Sequence, residues 1–137
     1  MKHLTKLTVR PYELDSYNHV NNAVYLSYLE HARMQFLNAA GFDFKGVTEA
    51  GFSLYVTHID IRYKFSAFLN DELTIETYPV KTGKVSGTFA QKITKADGTV
   101  CVEATVEWAC VNKQGRPSKL PEEFIVQGIY PDATAAV

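Results

Sequence analysis

The chain has 137 residues, of which 46% are hydrophobic, and this suits one domain (residues 1–137) with a sizeable core. Its 14 basic and 15 acidic residues leave a net charge of -1, which gives no support for nucleic acid as a partner. The first residues are polar and no apolar run approaches the ~18 residues that span a membrane, so we expect neither a signal peptide nor a membrane partner.

The first predicted element is a strand over residues 4–10. Alternation places Thr5, Leu7 and Val9 on one face, which we expect to point inward. Pro11 has no backbone N–H, so regular pairing should end there and a loop should follow.

A long helix is predicted over residues 22–40. Asn21 or Asn22 can cap its N-terminus, and Gly41 stands where a glycine commonly follows a helix. The members of its apolar stripe are Tyr25, Leu29, Ala32 and Phe36. Other apolar residues widen this stripe over much of the circumference, so we expect further structure to wrap around the helix.

After a loop punctuated by Gly46 and Gly51, the sequence predicts four more strands joined by short turns. They span residues 54–65, 72–81, 84–95 and 99–111. The first of these alternates cleanly, with one face formed by Tyr55, Thr57, Ile59, Ile61, Tyr63 and Phe65. Consecutive strands with short turns form an antiparallel sheet, so the predicted fold class is α+β with segregated helix and strands. The tail from Asp132 is expected to fray.

Cysteine and histidine spacing argue against several kinds of site. Cys101 and Cys110 fall in one predicted strand, roughly 30 Å apart, which is beyond disulfide reach and favours a reducing compartment. The histidines show no metal-binding spacing, so no metal site is predicted. The sequence also lacks a G-x-S-x-G turn and a glycine-rich nucleotide loop, and no cofactor is predicted.

The residues best suited to catalysis lie just before the predicted helix, between Asp15 and Asn22. This segment holds a carboxylate, the imidazole of His19 and three carboxamides. A carboxylate beside a helix N-terminus suits attack on a polarised carbonyl, because free N–H groups there stabilise the oxyanion. Asp15 could be a nucleophile that forms a mixed anhydride or a general base for water. Alternatively, Asp15 merely begins a turn, and His19 is a core ring satisfied by a backbone carbonyl.

The stretch from Val9 to Arg33 reads V-R-P-Y-E-L-D-S-Y-N-H-V-N-N-A-V-Y-L-S-Y-L-E-H-A-R. It resembles the hotdog-fold thioesterases, within them the 4-hydroxybenzoyl-CoA thioesterase family, and more closely the bacterial long-chain acyl-CoA thioesterases of that family. Its H-V-N-N segment is also similar to plant acyl-ACP thioesterases. The resemblance implies a five-stranded antiparallel sheet wrapped around one central helix. It also implies that two subunits join edge to edge, with active sites at their interface.

The resemblance implies roles for the residues around the helix start. Asp15 matches the catalytic carboxylate of the family. Asn21 and Asn22 would direct N–H groups at the thioester carbonyl, and His19 would assist catalysis or orient the substrate.

Two positions depart from the family pattern. Many relatives have a glycine where Asn18 stands, and the plant enzymes have an asparagine where this chain has Tyr17. A plant-type Asp-Asn-His mechanism is therefore not supported. The benzoyl-specific members lack the H-V-N-N segment, which makes a hydroxybenzoyl substrate less favoured.

The resemblance also suggests residues for substrate binding. Tyr25, Leu29 and Phe52 would line an apolar acyl pocket, although Tyr25 also suits a plain core position. The basic residues that could hold the CoA phosphates by charge are Arg62, Lys64, Arg116 and Lys119, and Ser86, close to Lys84, could lie where the pantetheine arm passes the sheet. For each of these, an ordinary surface position is the alternative.

The resulting prediction is a cytoplasmic thioesterase of fatty acid metabolism that hydrolyses a fatty acyl-CoA without a cofactor and associates with itself as a dimer or tetramer. One alternative is an acyl-ACP thioesterase, which would need a basic surface to dock its acidic carrier. Another is a non-catalytic acyl-CoA-binding protein, although such a protein needs no carboxylate beside the thioester carbonyl.

Overall fold

A computed structural model describes residues 2–131, so the predicted tail from Asp132 lies outside the described residues. The strands are β1 (His3–Thr8), β2 (Ser53–Tyr63), β3 (Glu72–Thr82), β4 (Ser86–Lys95) and β5 (Val100–Val111). The helices are α1 (Asn22–Ala39) and α2 (Phe44–Glu49), with short 3₁₀ turns at Pro11–Glu13, Glu122–Phe124 and Gln127–Ile129.

The five strands form one antiparallel sheet in the order β1-β3-β4-β5-β2. The predicted α+β class and five-stranded sheet are therefore confirmed. β1 and β2 are the edge strands, and the central strands β3, β4 and β5 carry the inward-facing core. Among residues 2–131, no helix combines the length and the apolar content that crossing a membrane requires.

Helix α1 packs its predicted apolar stripe into the core. Each member of the stripe is at most 5% exposed, and the members are Tyr25, Leu29, Ala32 and Phe36. Side chains of the sheet cover this stripe, and burying each large one contributes about 1.5–3 kcal/mol. The core has two parts, one around Leu29 near the start of α1 and one around Phe36 near its end. The first part supports the loops that hold Asp15.

Two predictions about individual elements were wrong. The predicted loop at Gly46 contains α2, which Asp43 caps by accepting a hydrogen bond from Gly46 N at 3.0 Å. The clean alternation predicted for β2 is broken by a bulge between Val56 and His58. As a result Tyr55 is 56% exposed, because a bulged edge strand does not keep one face against the core.

A buried polar group on β4 was not predicted. Gln91 is 2% exposed, and its Nε2 donates to Leu29 O at 2.9 Å and to Thr77 Oγ1 at 3.0 Å. Arg33 donates to Gln91 Oε1 at 3.0 Å. Because the amide is fully hydrogen-bonded, it ties α1 to β3 and β4 without an unsatisfied buried group.

The two cysteines lie in β5, as predicted. Cys101 and Cys110 are buried free thiols. Burial raises the pKa of both thiols, which keeps them protonated and chemically inert at neutral pH.

Candidate active site

The loop that carries Asp15 is a tight hairpin. Leu14 and Val20 form an antiparallel bridge, Asp15 N donates to His19 O at 2.9 Å, and Asn18 N donates to Asp15 O at 3.1 Å. Asn18 has φ 66°, in the left-handed region that only glycine and asparagine enter at low cost. Asparagine therefore fits this position of the turn at low cost.

The two oxygens of the Asp15 carboxylate have different surroundings. Oδ1 accepts a hydrogen bond from Tyr17 N at 2.9 Å, which fixes the side chain in the loop. Oδ2 lies 3.4 Å from His19 Nδ1. The side chain is 23% exposed, so solvent or substrate can reach it.

The His19 ring is held between two aromatic side chains. Tyr17 stacks on it with ring centroids 6.1 Å apart, and Phe68 meets it edge to face at 6.3 Å. A backbone bridge also joins His19 to Phe68, and Lys95 Nζ lies 4.7 Å from the centroid of the Phe68 ring. The segment that precedes β3 therefore closes one side of the site.

The hydrogen bonds at the start of α1 leave one N–H free. Asn21 N donates to Glu13 O at 3.0 Å, Ala23 N to Asn21 Oδ1 at 2.8 Å, and Val24 N to Asn21 O at 2.9 Å. Within residues 2–131, Asn22 N has no acceptor. The expectation that both Asn21 and Asn22 would offer an N–H to the substrate therefore needs correction. Asn21 is the helix cap, and Asn22 supplies the free donor.

These groups line one cavity of about 380 Å³. Its lining residues include Asp15, His19, Asn22 and Tyr25, together with Tyr17, Val20, Tyr63, Lys64, Phe65 and Ser66. A partly exposed carboxylate, an imidazole and a free helix N-terminal N–H thus face the same space. That combination can polarise a carbonyl group and deliver a nucleophile to it. Among residues 2–131, no three His, Cys, Asp or Glu side chains come together as metal ligands.

Several predicted substrate-binding residues do not line this cavity. Leu29 is 0% exposed in the core, and Phe52 packs in the second core cluster. Arg62 lines a depression with Asp60 and Glu103 on the opposite face of the sheet.

Lys84, Ser86 and Arg116 lie at the far end of the sheet from Asp15. Ser86 pairs with Ala109, which pairs with Tyr55 at the start of β2. Tyr63, which lines the cavity, lies roughly 25 Å from Tyr55 along the strand. Lys84 belongs to the adjoining turn and Arg116 to the loop after β5. Within one chain, these three residues are not brought together with the carboxylate.

A buried carboxylate beside the site was missed. Glu13 is 6% exposed and accepts hydrogen bonds from Tyr28 Oη at 2.8 Å and from Arg10 N at 2.8 Å, and it pairs with the Arg10 guanidinium. Burial alone would raise the pKa of Glu13, but the hydrogen bonds from Arg10 and Tyr28 outweigh it and the pKa is lowered. The one signal in the sequence is the spacing of Arg10 and Glu13 around Pro11.

The sequence of this chain is similar to those of known thioesterases. A model of the thioesterase-like superfamily matches residues 9–128. The long-chain acyl-CoA thioesterase FadM of Escherichia coli (strain K12) is 37% identical over 109 residues, which are 79% of this chain and 82% of that protein. The chloroplastic acyl-acyl carrier protein thioesterase ATL3 of Arabidopsis thaliana is 32% identical over 91 residues, which are 66% of this chain and 45% of that protein.

The fold also matches solved structures. A DHNA-CoA thioesterase from Staphylococcus aureus superposes with a TM-score of 0.83 over 87% of this chain and 80% of that one, at 21% identity. At that identity the likeness concerns the fold alone. Together with the family match over residues 9–128, it shows that this chain belongs to the thioesterase-like superfamily and has the hotdog fold.

Proposed function

We propose that this protein hydrolyses an acyl-CoA thioester to a free acid and CoA. The observation that carries the proposal is that the Asp15 carboxylate and the free N–H of Asn22 line the same cavity. The similarity to a relative named long-chain acyl-CoA thioesterase supports the choice of substrate. The activity needs water as its second substrate and no cofactor.

In the proposed reaction the carbonyl oxygen of the thioester accepts a hydrogen bond from Asn22 N. The positive end of the α1 dipole then stabilises the negative charge that develops on this oxygen. Asp15 either removes a proton from the attacking water or attacks the carbonyl itself, in which case water cleaves the resulting anhydride. On both routes the C–S bond breaks, the thiolate of CoA leaves, and one water is consumed.

In this proposal His19 orients the carboxylate and the cavity walls bind the acyl chain. His19 Nδ1 lies 3.4 Å from Asp15 Oδ2, where it can orient the carboxylate. Val20, Tyr63 and Phe65 give the cavity apolar and aromatic walls, which suit a fatty acyl chain.

The proposal includes self-association through the β2 edge. β2 is an edge strand whose Tyr55, Val56 and Tyr63 are each 46% exposed or more. Pairing two β2 strands about a two-fold axis would make them antiparallel and would cover this apolar surface. The end of the partner sheet that bears Lys84 and Ser86 would then approach Asp15, where these residues, with Arg116, could hold CoA. A reducing cytoplasm suits the two free thiols.

The main alternative carrier is acyl carrier protein. The similarity to ATL3 favours it, although the chain spans about half the length of that protein. Thiol release should be measured with one acyl group attached to CoA and to acyl carrier protein, over a series of chain lengths. The proposal predicts a higher kcat/KM for the CoA ester. A higher value for the carrier protein ester would favour the alternative, and binding without turnover of either would favour a non-catalytic acyl-CoA-binding protein.

A further inference from the structure

The start of α1 supplies fewer donors than a thioester oxyanion can use. Oxyanion holes in acyl transfer commonly present more than one donor to the developing charge. Here Asn21 N, Ala23 N and Val24 N are already bonded within the chain, and Asn22 N is the one N–H of residues 21–24 that has no acceptor within residues 2–131. A second donor would have to come from a side chain that lines the same cavity.

Tyr25 lies one helical turn beyond Asn22, on the same face of α1. Its side chain is 4% exposed and lines the cavity with Asp15 and Asn22. The hydroxyl oxygen accepts a hydrogen bond from Ala67 N at 3.0 Å, which fixes its position. Within residues 2–131, the hydroxyl proton has no acceptor.

Neighbouring tyrosines do not offer a free proton. Tyr28 donates its hydroxyl proton to Glu13 at 2.8 Å, and Tyr63 donates to Asn22 O at 3.0 Å. Burial raises the pKa of Tyr25, so its hydroxyl stays protonated throughout the neutral range. Tyr25 is thus a positioned donor whose hydrogen bond is available to a ligand.

We propose that the Tyr25 hydroxyl donates the second hydrogen bond to the carbonyl oxygen of the substrate, beside the Asn22 N–H. This inference rests on the proposed thioesterase function and makes Tyr25 a catalytic residue rather than a wall of the acyl pocket. No proton is transferred from Tyr25. Its hydrogen bond strengthens as the oxygen becomes negative, and it weakens again when the C–S bond breaks and the carbonyl re-forms.

The first test is the kinetics of Tyr25→Phe. Loss of one oxyanion donor typically lowers kcat by about 10²–10³-fold, and KM should change little because the bond is strongest in the transition state. This variant also leaves Ala67 N without its acceptor, so the melting temperature must be measured alongside. Tyr28→Phe is the control for loss of a buried hydroxyl from the same helix at a position that does not line the cavity, and because Tyr28 also bonds Glu13 in the loop, its kcat measures how much a purely structural loss costs.

The second test measures the carbonyl directly. An acyl-CoA labelled with ¹³C at the carbonyl would be bound to Asp15→Asn, to Asp15→Asn/Tyr25→Phe and to Asp15→Asn/Tyr28→Phe, and infrared difference spectra recorded. The carbonyl stretch should move to higher wavenumber only when Tyr25 is replaced, since a purely structural role would not change the polarisation of the carbonyl.

The outcomes separate this inference from the function on which it rests. If wild type turns over the substrate and Tyr25→Phe keeps a kcat within about threefold of it, the role of Tyr25 is wrong and the thioesterase function stands. A carbonyl frequency that does not change in Asp15→Asn/Tyr25→Phe would overturn the role of Tyr25 in the same way. A wild type that releases no thiol from any acyl ester would overturn both proposals.

Discussion

At the residue scale, the loop that carries Asp15 is held by a second carboxylate, that of Glu13. Glu13 is buried beneath the loop, where Arg10 and Tyr28 bond its side chain and Asn21 N bonds its carbonyl oxygen. Asp15, two residues later, keeps one oxygen directed at His19. Burial and hydrogen bonding thus give two nearby acids different tasks, with Glu13 stabilising the loop and Asp15 reaching the cavity.

Replacing Glu13 with Gln should lower the free energy of unfolding at neutral pH by about 1–3 kcal/mol, because the amide loses the charge-assisted bonds from Arg10. The pKa of Glu13 is lower in the folded chain than its ordinary value of 4.5. Its ionised form therefore stabilises the fold above that value, and this contribution disappears as pH falls through the folded-state pKa.

Urea unfolding of wild type and Glu13→Gln over a pH series checks this expectation. The stability gap should be widest at neutral pH and should narrow as the solution becomes more acidic than about pH 4.5. A gap that stays constant over the series would mean that ionisation of Glu13 does not contribute to stability.

At the element scale, α1 packs in the hydrophobic core and its first turn lies at the cavity that holds Asp15. Its apolar stripe anchors the helix against the sheet, and Gln91 ties its middle to β3 and β4. Asn21 organises its first turn through three hydrogen bonds. Because these bonds use the neighbouring donors, they leave the Asn22 N–H directed at the cavity.

Asn21→Ala should therefore destabilise the protein by about 0.5–2 kcal/mol, the usual cost of losing an N-cap side chain. It should also lower kcat, because Ala23 N is released and the helix start loosens. Asn21→Ser restores a capping oxygen and should recover most of both losses. Chemical denaturation and thiol-release kinetics measure the two effects. If Asn21→Ala matched wild type in both, the cap would not order the site.

At the scale of the whole molecule, the features that could be predicted from the sequence are those set by the burial pattern of a strand or by residues close together in the chain. Strands β3, β4 and β5 were found within a few residues because one face of each is buried, which leaves a period of two. Asp15, His19, Asn22 and Tyr25 could be grouped because they lie close together in the chain, around one helix start. The resemblance of this segment to a known family supplied the chemistry.

The parts that were missed depend on tertiary structure. The bulge in β2 follows from its place at the sheet edge, which alternation does not reveal. The short helix α2 was predicted as a loop because Gly46 lies inside it and Gly51, with φ 90°, follows it closely. Two glycines so close together are more typical of a loop than of a helix. Ser66 reaches the cavity from a distant segment with no periodic signal. The roles proposed for Lys84, Ser86 and Arg116 would require a partner subunit, because these residues lie far from Asp15 within one chain.

The association proposed at the β2 edge can be tested by introducing a positive charge on that edge. Val56→Lys places a cation on the exposed edge and should convert a dimer to a monomer, as read by analytical ultracentrifugation. Turnover should fall with it, since the partner residues would be lost from the site. Thr105→Lys adds the same charge on an exposed position of β5 and should keep the dimer. Val56→Lys that remained dimeric would place the interface elsewhere.

The most direct test of the central claim compares thiol release from a long-chain acyl-CoA by wild type and by Asp15→Asn. The substitution keeps the size of the side chain and removes its charge, so the melting temperature should change little. We expect turnover by wild type and a loss of about 10²-fold or more in kcat for the variant. Turnover by Asp15→Asn at the wild-type rate would contradict the claim.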